Sequence, residues 1–320
     1  MKKINDFKPG DEVADLILRL NDVQLRKTAS QADYATMLGY DGENILETKI
    51  WNLTEELKEI LVNGNIYSCF GNMKEYQGKM QLNIKELRIP SANEYDRKSF
   101  FEFAKMDEEE LRTEIMNYVL KIDNTIIKQL VMSLLEEYMD EYFIHPAAKT
   151  MHHNYISGLA YHVYSMLKLS DTYLAQYSFL NKDLVHGGII LHDLGKIIEM
   201  NAETGEYTKV GNLIGHITIA SNKLYQKAVE LKLDESEEFL LLQHILISHH
   251  GLLEYGSPKN PLIPEAELVF LLDYSDSRMA ALEKEVTKNG VLNEELIGGY
   301  TQPIYAFDRR SFYISNIKKK

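Results

Sequence analysis

The spacing of hydrophobic and polar residues changes once along the chain, near Asp96. Before that point, short apolar runs alternate with turn-forming residues, a pattern typical of β-strands. The apolar runs are 13–18, 35–38, 48–51 and 66–70, and the turn signals are Asp41-Gly42, 63–65, Gly71-Asn72 and Gln77-Gly78. A short helix is expected over Thr54–Val62, with Thr54 as its N-cap. Several strands with one helix predict a small closed β-barrel.

After Asp96 the apolar residues recur with the 3.6-residue period of helices. The first helix is expected to begin at Asp107, and the last 30 residues are expected to be irregular. The other predicted helices are Asn124–Tyr142, Tyr155–Tyr177, Lys182–Asp193, His216–Leu231, Glu235–Ser248 and Pro264–Lys288. The predicted fold is multidomain α+β, with a β-barrel over residues 1–92, a helical connector over 93–144 and an all-α domain over 145–320.

Composition narrows the class of protein. The chain has 320 residues, of which 45% are hydrophobic, and a single cysteine, Cys69, which excludes an intrachain disulfide or a cysteine-based zinc site. The first residues lack an apolar core, and the most apolar stretch, 239–247, is too short to span a membrane. We therefore expect a cytoplasmic protein without a membrane partner. The net charge of −13 argues against coating nucleic acid by bulk charge, but leaves room for a local basic groove or a phosphate-binding metal.

The distribution of histidine is more informative than the charge. All ten histidines lie between His145 and His250, about a third of the chain. Three of them, His145, His186 and His244, are expected to be structural. The candidate metal ligands are His162, His192, Asp193, His216, His249, His250 and Asp273, with Asp276 as an alternative to Asp273 because both lie on one helix face.

Imidazole and carboxylate ligands together suit Mn²⁺, Fe²⁺, Zn²⁺ or Co²⁺. Asp193 could bridge two ions about 3.5–4 Å apart, the usual two-metal spacing, and phosphate esters are natural substrates of such a pair. Lys196, about one helical turn after Asp193, could contact a phosphate oxygen. The expected catalytic residues are therefore Asp193 and Lys196, together with His153 as a group that orients the substrate phosphate.

The spacing of His162, His192-Asp193 and a late-helix aspartate resembles the H…HD…D signature of the HD-domain metal-dependent phosphohydrolases. The run 192–196 is His-Asp-Leu-Gly-Lys, which is quite specific to that superfamily. The resemblance implies that His162, His192, Asp193 and Asp273 are ligands. The additional His216 and the His249-His250 pair resemble those of family members that bind two metal ions.

The order of barrel, connector and HD domain further resembles the YhaM family of bacterial 3′–5′ exoribonucleases, including the runs 152–162 and 248–251. That resemblance implies Mn²⁺-dependent release of nucleoside monophosphates from the 3′ end of single-stranded RNA, and also of DNA. It implies an OB-type barrel, which grips single strands with aromatic and basic residues. The candidates for strand binding are Trp51, Phe70, Tyr76, Lys74 and Arg88, with Tyr34, Tyr67, Lys49 and Lys79 nearby.

Two other functions fit the same sequence. One is an HD-type nucleotidase or cyclic-nucleotide phosphodiesterase that uses the barrel as a regulatory module. The other is a non-catalytic nucleic-acid-binding protein. Neither the choice of metal nor the preference for RNA or DNA follows from the residues, and the chain is compatible with a homo-oligomer.

Overall fold

The computed structural model describes residues 2–101, 103–147, 155–202, 204–288 and 291–317. The chain divides into two compact units, Met1–Glu102 and Phe103–Lys320. Strands dominate the first unit and helices the second.

The first unit is a closed barrel of five strands, as predicted. The strands are β1 (Glu12–Lys27), β2 (Asp33–Tyr40), β3 (Ile45–Ile50), β4 (Ile66–Tyr76) and β5 (Lys79–Arg88). They are hydrogen-bonded in the order β1-β2-β3-β5-β4, and β1 pairs with β4 to close the barrel. The β3–β5 pair is parallel and the other neighbouring pairs are antiparallel. This is an OB-like barrel, and closure leaves its strands without long open edges.

Alternation along the strands fills the barrel. In β3, Leu46, Thr48 and Ile50 are buried while the residues between them are more exposed. Because successive side chains of a strand point to opposite faces, such alternation gives one apolar face and one face toward solvent. The apolar faces of all five strands meet in one core, which includes Leu16, Leu18, Met37, Tyr67, Cys69, Met73 and Leu82.

The helix within the barrel and one of its turns agree with the sequence. Helix α1 (Glu55–Ile60) begins after Thr54, whose side chain accepts a hydrogen bond from the backbone N–H of Leu57. Gln77 and Gly78 join β4 to β5, and both have positive φ, 52° and 76°. Two consecutive positive φ angles are typical of the type I′ turn that closes tight hairpins.

The expected turn at Gly71-Asn72 is wrong, because β4 continues through both residues. The pairing register with β5 shifts between Phe70 and Gly71, which marks a β-bulge. A Cβ atom at Gly71 would lie 2.0 Å from the carbonyl oxygen of Asn83. The glycine therefore allows a close approach of two backbones at the bulge rather than a reversal of the chain.

The second unit is helical, with one core of buried aliphatic and aromatic side chains. Its first helix is capped by Asp107, whose side chain accepts from the N–H of Glu110. The helices are α2 (Glu108–Leu120), α3 (Thr125–Glu137), α4 (Met139–Ile144), α5 (Gly158–Gln176), α6 (Lys182–Leu191), α7 (Lys196–Glu199), α8 (Lys209–Ile214), α9 (His216–Leu231), α10 (Glu237–Ser248) and α11 (Pro264–Val286). Within the described ranges, no helix combines the length and the apolar character that crossing a membrane requires.

The single helix expected over Asn124–Tyr142 is wrong. Tyr138, with φ −119° and ψ 22°, leaves the helical region and separates α3 from α4. Buried apolar residues lie in phase on both sides of the break, from Leu134 to Tyr142, and neither glycine nor proline marks it. Periodicity therefore could not reveal this break.

Two short helices, α7 and α8, were not predicted, because four to six residues are too few to show a period. The last 30 residues, expected to be irregular, begin with the short strand β7 (Val291–Leu292), which pairs with β6 (Thr287–Lys288) after the end of α11. They also contain a 3-10 turn, Tyr305–Phe307, flanked by the buried Ile304. This segment therefore contributes apolar side chains to the packing of the helical unit.

Candidate metal centre and the barrel surface

Five helices of the second unit bring the candidate ligands together at their ends or faces. His162 lies in α5, His192-Asp193 directly follow α6, and His216 is the first residue of α9. The pair His249-His250 directly follows α10, and Asp273 lies within α11. Two groups of donor atoms are each close enough to hold one ion, with all atoms of a group within 4.8 Å of one another. The groups are His162, His192 and Asp193, and His216, His249 and His250.

A glycine lets these segments approach. A Cβ atom at Gly195 would lie 2.1 Å from the carbonyl oxygen of His216. The turn after Asp193 can therefore contact the start of α9 only without a side chain at this position. This contact explains the glycine in the His-Asp-Leu-Gly-Lys run.

Backbone carbonyl groups orient three of the histidines. The Nδ1–H of His192 donates to Ile189 O at 2.7 Å, that of His249 to Leu246 O at 2.7 Å, and that of His250 to Tyr255 O at 2.9 Å. Because a carbonyl oxygen can only accept, Nδ1 carries the proton in each ring. Nε2 then keeps its lone pair, the state that a metal ligand needs.

Carboxylates orient the other two histidines. His162 Nδ1 lies 2.7 Å from Asp276 Oδ2, and His216 Nδ1 lies 3.0 Å from Glu199 Oε1. The backbone N–H of His216 also donates to Glu199 Oε1 at 2.9 Å. A carboxylate behind the imidazole fixes the ring orientation and raises the basicity of the opposite nitrogen.

Asp193 lies between the histidines of the two donor groups. Its Oδ2 is 3.2 Å from His192 Nε2 and 3.9 Å from His162 Nε2. Its Oδ1 is 3.4 Å from His216 Nε2 and 3.8 Å from His249 Nε2. One carboxylate therefore presents a different oxygen to each group, which is the geometry of a bridging ligand.

Several donor atoms in this cluster are buried without a hydrogen-bond partner among the described residues. They are Nε2 of His192, His216 and His249, and Oδ1 of Asp193. Unpaired buried polar atoms cost free energy, and four that converge on one place would be strongly unfavourable in a bare protein. Divalent ions would complete all four at once, so the donor set fits a metal centre.

The charge states of the cluster also suit metal binding. Although burial raises the pKa of the Asp193 carboxyl, Lys196, His192 and His216 outweigh it and hold that pKa well below its usual range. Burial lowers the pKa of His249, and the neighbouring His250 and His192 lower it further, so this ring is neutral. An ionised carboxylate beside a neutral imidazole is the combination that a divalent ion needs.

The geometry separates Asp273 from Asp276. Asp273 Oδ1 lies 3.2 Å from Nε2 of His162, the nitrogen that faces Asp193. Asp276 contacts Nδ1 on the opposite side of the ring and also accepts from the hydroxyl of Ser165. Asp273 therefore lies with the inward-facing donors, and Asp276 lies behind His162.

Of the candidate catalytic residues besides Asp193, the structure describes Lys196 but not His153. Lys196 Nζ lies 2.7 Å from Asp193 Oδ2 and lines the open cleft beside the cluster. His153 lies outside the described residues. Glu199, which orients His216, was not singled out from the sequence, although it lies three residues after Lys196 on the short helix α7.

Three other histidines of the described ranges lie outside the two donor groups. The two ring nitrogens of His145 lie 2.8 and 3.2 Å from the backbone carbonyl oxygens of Pro146 and Met200, and a neutral ring donates to one of them. His244 Nε2 accepts from the N–H of Leu262. Both ring nitrogens of His186 are buried and have no hydrogen-bond partner in the described part of the chain.

On the barrel, some of the candidate strand-binding residues share one surface. Trp51 is 46% exposed and stacks on Tyr34, with ring centroids 5.2 Å apart. Lys49 Nζ lies 5.7 Å from the centroid of Trp51 and 5.5 Å from that of the exposed Tyr76. Lys74 and Trp51 line a small cleft of about 270 Å³. We call these five residues the aromatic surface.

The other candidates lie elsewhere on the barrel. Arg88 donates from both Nη atoms to Glu94, at 2.8 and 2.9 Å. Phe70 is half-buried at the bulge and does not line the cleft with Trp51. Tyr67 is fully buried and donates its hydroxyl to Ile60 O, so it belongs to the core rather than to the surface.

Residues 159–278 match the family model of the HD domain. This part of the chain is therefore an HD domain, the domain of metal-dependent phosphohydrolases, and it contains His162, Asp193 and Asp273. With the barrel before it, the chain has the architecture of an OB-like barrel followed by a helical HD domain.

Among solved structures, two of the protein PriB from Ralstonia solanacearum, at 1.8 and 2.3 Å resolution, are similar to part of this chain. Each is 15% identical over 24% of this chain, with a TM-score of 0.21. The matches cover 94% and 96% of the two PriB chains. No functional conclusion follows from a likeness of this extent.

Proposed function

We propose that the protein is a metal-dependent 3′–5′ exonuclease that releases nucleoside monophosphates from single-stranded RNA, and from DNA as a second substrate. The observation that carries the proposal is the position of Asp193. One of its oxygens faces the Nε2 atoms of His192 and His162, and the other faces those of His216 and His249. Two ions sharing one carboxylate suit an in-line displacement at phosphorus.

The chain supplies enough donors for two ions. His162, His192 and Asp273, with Oδ2 of Asp193, would hold the first ion. His216, His249 and His250, with Oδ1 of Asp193, would hold the second. When bound, such ions activate water and stabilise negative charge on phosphoryl oxygens. The donors are nitrogen and oxygen without thiolate, a set that suits Mn²⁺ as well as Fe²⁺, Co²⁺ or Zn²⁺.

Lys196 is the proposed phosphate contact. Burial lowers the pKa of its ammonium group, but the Asp193 carboxylate outweighs burial and raises it, so the group stays charged. Its Nζ is held by Asp193 and lies on the wall of the cleft. A fixed positive charge there would orient a phosphodiester before reaction and offset its charge afterwards. His153 remains a proposed orienting group.

The aromatic surface is the proposed binding site for the strand. Stacked Tyr34 and Trp51 offer a flat apolar face, and Lys49 and Lys74 add positive charge beside it. Bases stack on such rings with little dependence on sequence. Phe70 and Arg88 remain weaker candidates for strand contact, since Phe70 is half-buried and Arg88 is engaged by Glu94.

The test is hydrolysis of a 5′-labelled single strand by the full chain with Mn²⁺. We expect a ladder that shortens from the 3′ end, with nucleoside monophosphate as product. The Asp193→Asn variant should lose hydrolysis, because the shared carboxylate is neutralised, and should still bind the strand. Cleavage by this variant in metal-controlled buffer would refute the proposal.

The same experiment separates the alternatives. An intact strand with rapid turnover of mononucleotides or cyclic nucleotides would indicate a nucleotidase or cyclic phosphodiesterase. An intact strand that binds, with no turnover of either substrate, would indicate a non-catalytic binding protein.

A further inference from the structure

A cleft of about 620 Å³ opens beside the metal cluster, within the helical unit. Clefts of about 300–1,000 Å³ are typical of sites for small ligands. Its lining includes Lys196, His216, His250 and Asp273 of the cluster. It also includes Arg278 from the end of the HD match and Arg310 from the C-terminal segment beyond it.

Arg278 is held in place by neutral groups. Its guanidinium lies 4.1 Å from the ring centroid of Phe307 and 4.9 Å from that of Tyr274. Its Nη1 donates to Ala306 O at 3.0 Å. Arginine has five N–H donors in a rigid plane, so this arrangement orients the group while leaving donors for a ligand.

Arg310 is anchored in a similar way. Its Nε donates to Phe307 O at 3.0 Å, which leaves the two Nη groups for other partners. Among the residues that the structure describes, no carboxylate forms an ion pair with Arg278 or Arg310, although Asp308 lines the same cleft. In a chain with 48 acidic residues, the cleft thus has two oriented arginines without an ion-paired carboxylate, and guanidinium groups of this kind suit an anion.

We propose that Arg278 and Arg310 bind a second phosphate of the substrate, distinct from the phosphate that reacts. This inference rests on the proposed phosphodiesterase activity. The reacting phosphate already has the cluster and Lys196, so the two arginines of the same cleft are available for the neighbouring one. The exposed rings of Tyr207 and Tyr255 in the same cleft offer faces for a base. The substrate class is therefore a nucleotide chain with at least two phosphates, rather than a mononucleotide.

The first test measures binding without turnover. The full chain in EDTA is titrated by calorimetry with adenosine 3′,5′-bisphosphate and with adenosine 5′-monophosphate. We expect the bisphosphate to bind about 10-fold more tightly, because a charge-assisted contact to a second phosphate contributes an effect of this order. Arg310→Gln should bring the two affinities close together, and Arg310→Lys should keep part of the difference.

The chain offers a matched control. Arg309 is exposed, adjacent in sequence and absent from the lining of the cleft. Arg309→Gln should leave the ratio of affinities unchanged. Arg278 also packs against Phe307, so Arg278→Gln could lower stability as well as binding. The affinities of this variant are therefore compared only if its unfolding temperature is unchanged. An unchanged ratio in folded Arg310→Gln would overturn the proposal.

The second test compares two substrates in the Mn²⁺-loaded protein. Bis(p-nitrophenyl) phosphate has a single phosphodiester, whereas a short single strand has several. Arg310→Gln should lower kcat/KM for the strand about 10-fold and leave that for the small diester within about twofold. Equal effects on both substrates would contradict a second-phosphate contact. Strand cleavage that survives Asp193→Asn would instead refute the proposed function, while the binding ratio would still test the arginines.

Discussion

Asp276 lies 2.7 Å from Nδ1 of His162, on the side of the ring opposite to Asp273 and Asp193. Nδ1 of this ring contacts the Asp276 carboxylate, whereas Nε2 faces the other candidate ligands. A carboxylate in this position orients a metal-binding histidine and increases its basicity. Asp276 is therefore a positioning residue for the proposed first ion.

The Asp276→Asn variant is expected to lose about 10- to 100-fold in metal affinity, the usual effect of removing a carboxylate behind a ligating histidine. Asp273→Asn should lose more, because a proposed ligand loses its charge. Metal content after dialysis, measured by mass spectrometry, tests both. Asp140→Asn, at an exposed position on α4, is the control. Full metal content in Asp276→Asn would show that the Asp276 contact does not support the ion.

The next prediction concerns the pH dependence of metal binding. Burial lowers the pKa of His162, but the carboxylates of Asp273 and Asp276 outweigh burial and raise it to about 10. In the metal-free protein the ring therefore carries a proton on Nε2 below that pH, and an ion must displace it. The apparent affinity for Mn²⁺ should rise about 10-fold per pH unit between pH 6.5 and 8.5. Calorimetry in buffers of different ionisation enthalpy should detect the released proton, and the slope should be smaller in Asp276→Asn. An affinity independent of pH would contradict the prediction.

The sequence predicts a set of candidate ligands, but it does not show which residues orient them. All ten histidines lie between His145 and His250, and an adjacent His192-Asp193 at a helix end has few structural uses, so the pattern alone identifies this pair as a candidate. Glu199 and Asp276 are two of 48 acidic residues, and the sequence indicates Asp276 only as an alternative ligand to Asp273. What distinguishes them is contact with His216 and His162, at separations of 17 and 114 residues along the chain. Only the packing of helices creates those contacts.

The barrel shows a similar limit. The alternation of apolar residues and the turn residues predicted the closed barrel, but they did not predict the structural role of Gly71. Gly71 has the composition of a turn and lies instead in a bulge, because Asn83 O occupies the space that a Cβ would need. The burial of Tyr67 could not be predicted either, because the periodicity of a strand does not show which of its two faces points into the barrel.

A separate prediction uses His186, which is buried in α6 against the ring of Tyr118. Burial lowers the pKa of His186 to about 4, whereas an unfolded imidazole has a pKa of about 6.5. Between these values the unfolded chain binds more protons, so the free energy of unfolding falls as pH falls. This residue alone should remove about 2 kcal/mol of stability between pH 7.5 and pH 5. His186→Phe should remove that part of the pH dependence, as measured by urea unfolding. Parallel pH curves for the variant and the original chain would contradict it.

The aromatic surface predicts a loss of strand binding in Trp51→Ala. Stacking of a base on an aromatic ring contributes about 1–3 kcal/mol, so the affinity for a single strand should fall by roughly one to two orders of magnitude. Fluorescence anisotropy with Asp193→Asn as the background measures binding without cleavage. Phe179→Ala, which removes an aromatic ring that is 70% exposed in the helical unit, is the control. Hydrolysis of bis(p-nitrophenyl) phosphate should not change in Trp51→Ala.

The last prediction separates two basic residues of the barrel by their ion pairing. Lys74 is exposed and, within the described ranges, forms no ion pair with a carboxylate, whereas Arg88 is held by two hydrogen bonds to Glu94. A phosphate contact from Lys74 releases a counterion from the strand, but Arg88 would first have to leave Glu94. Lys74→Gln should therefore lower the slope of log affinity against log salt concentration by about 0.7–1, and Arg88→Gln should change it little. Anisotropy titrations from 50 to 300 mM KCl test both variants. A larger change of slope in Arg88→Gln than in Lys74→Gln would contradict the prediction and indicate that the strand binds near Arg88 rather than near Trp51.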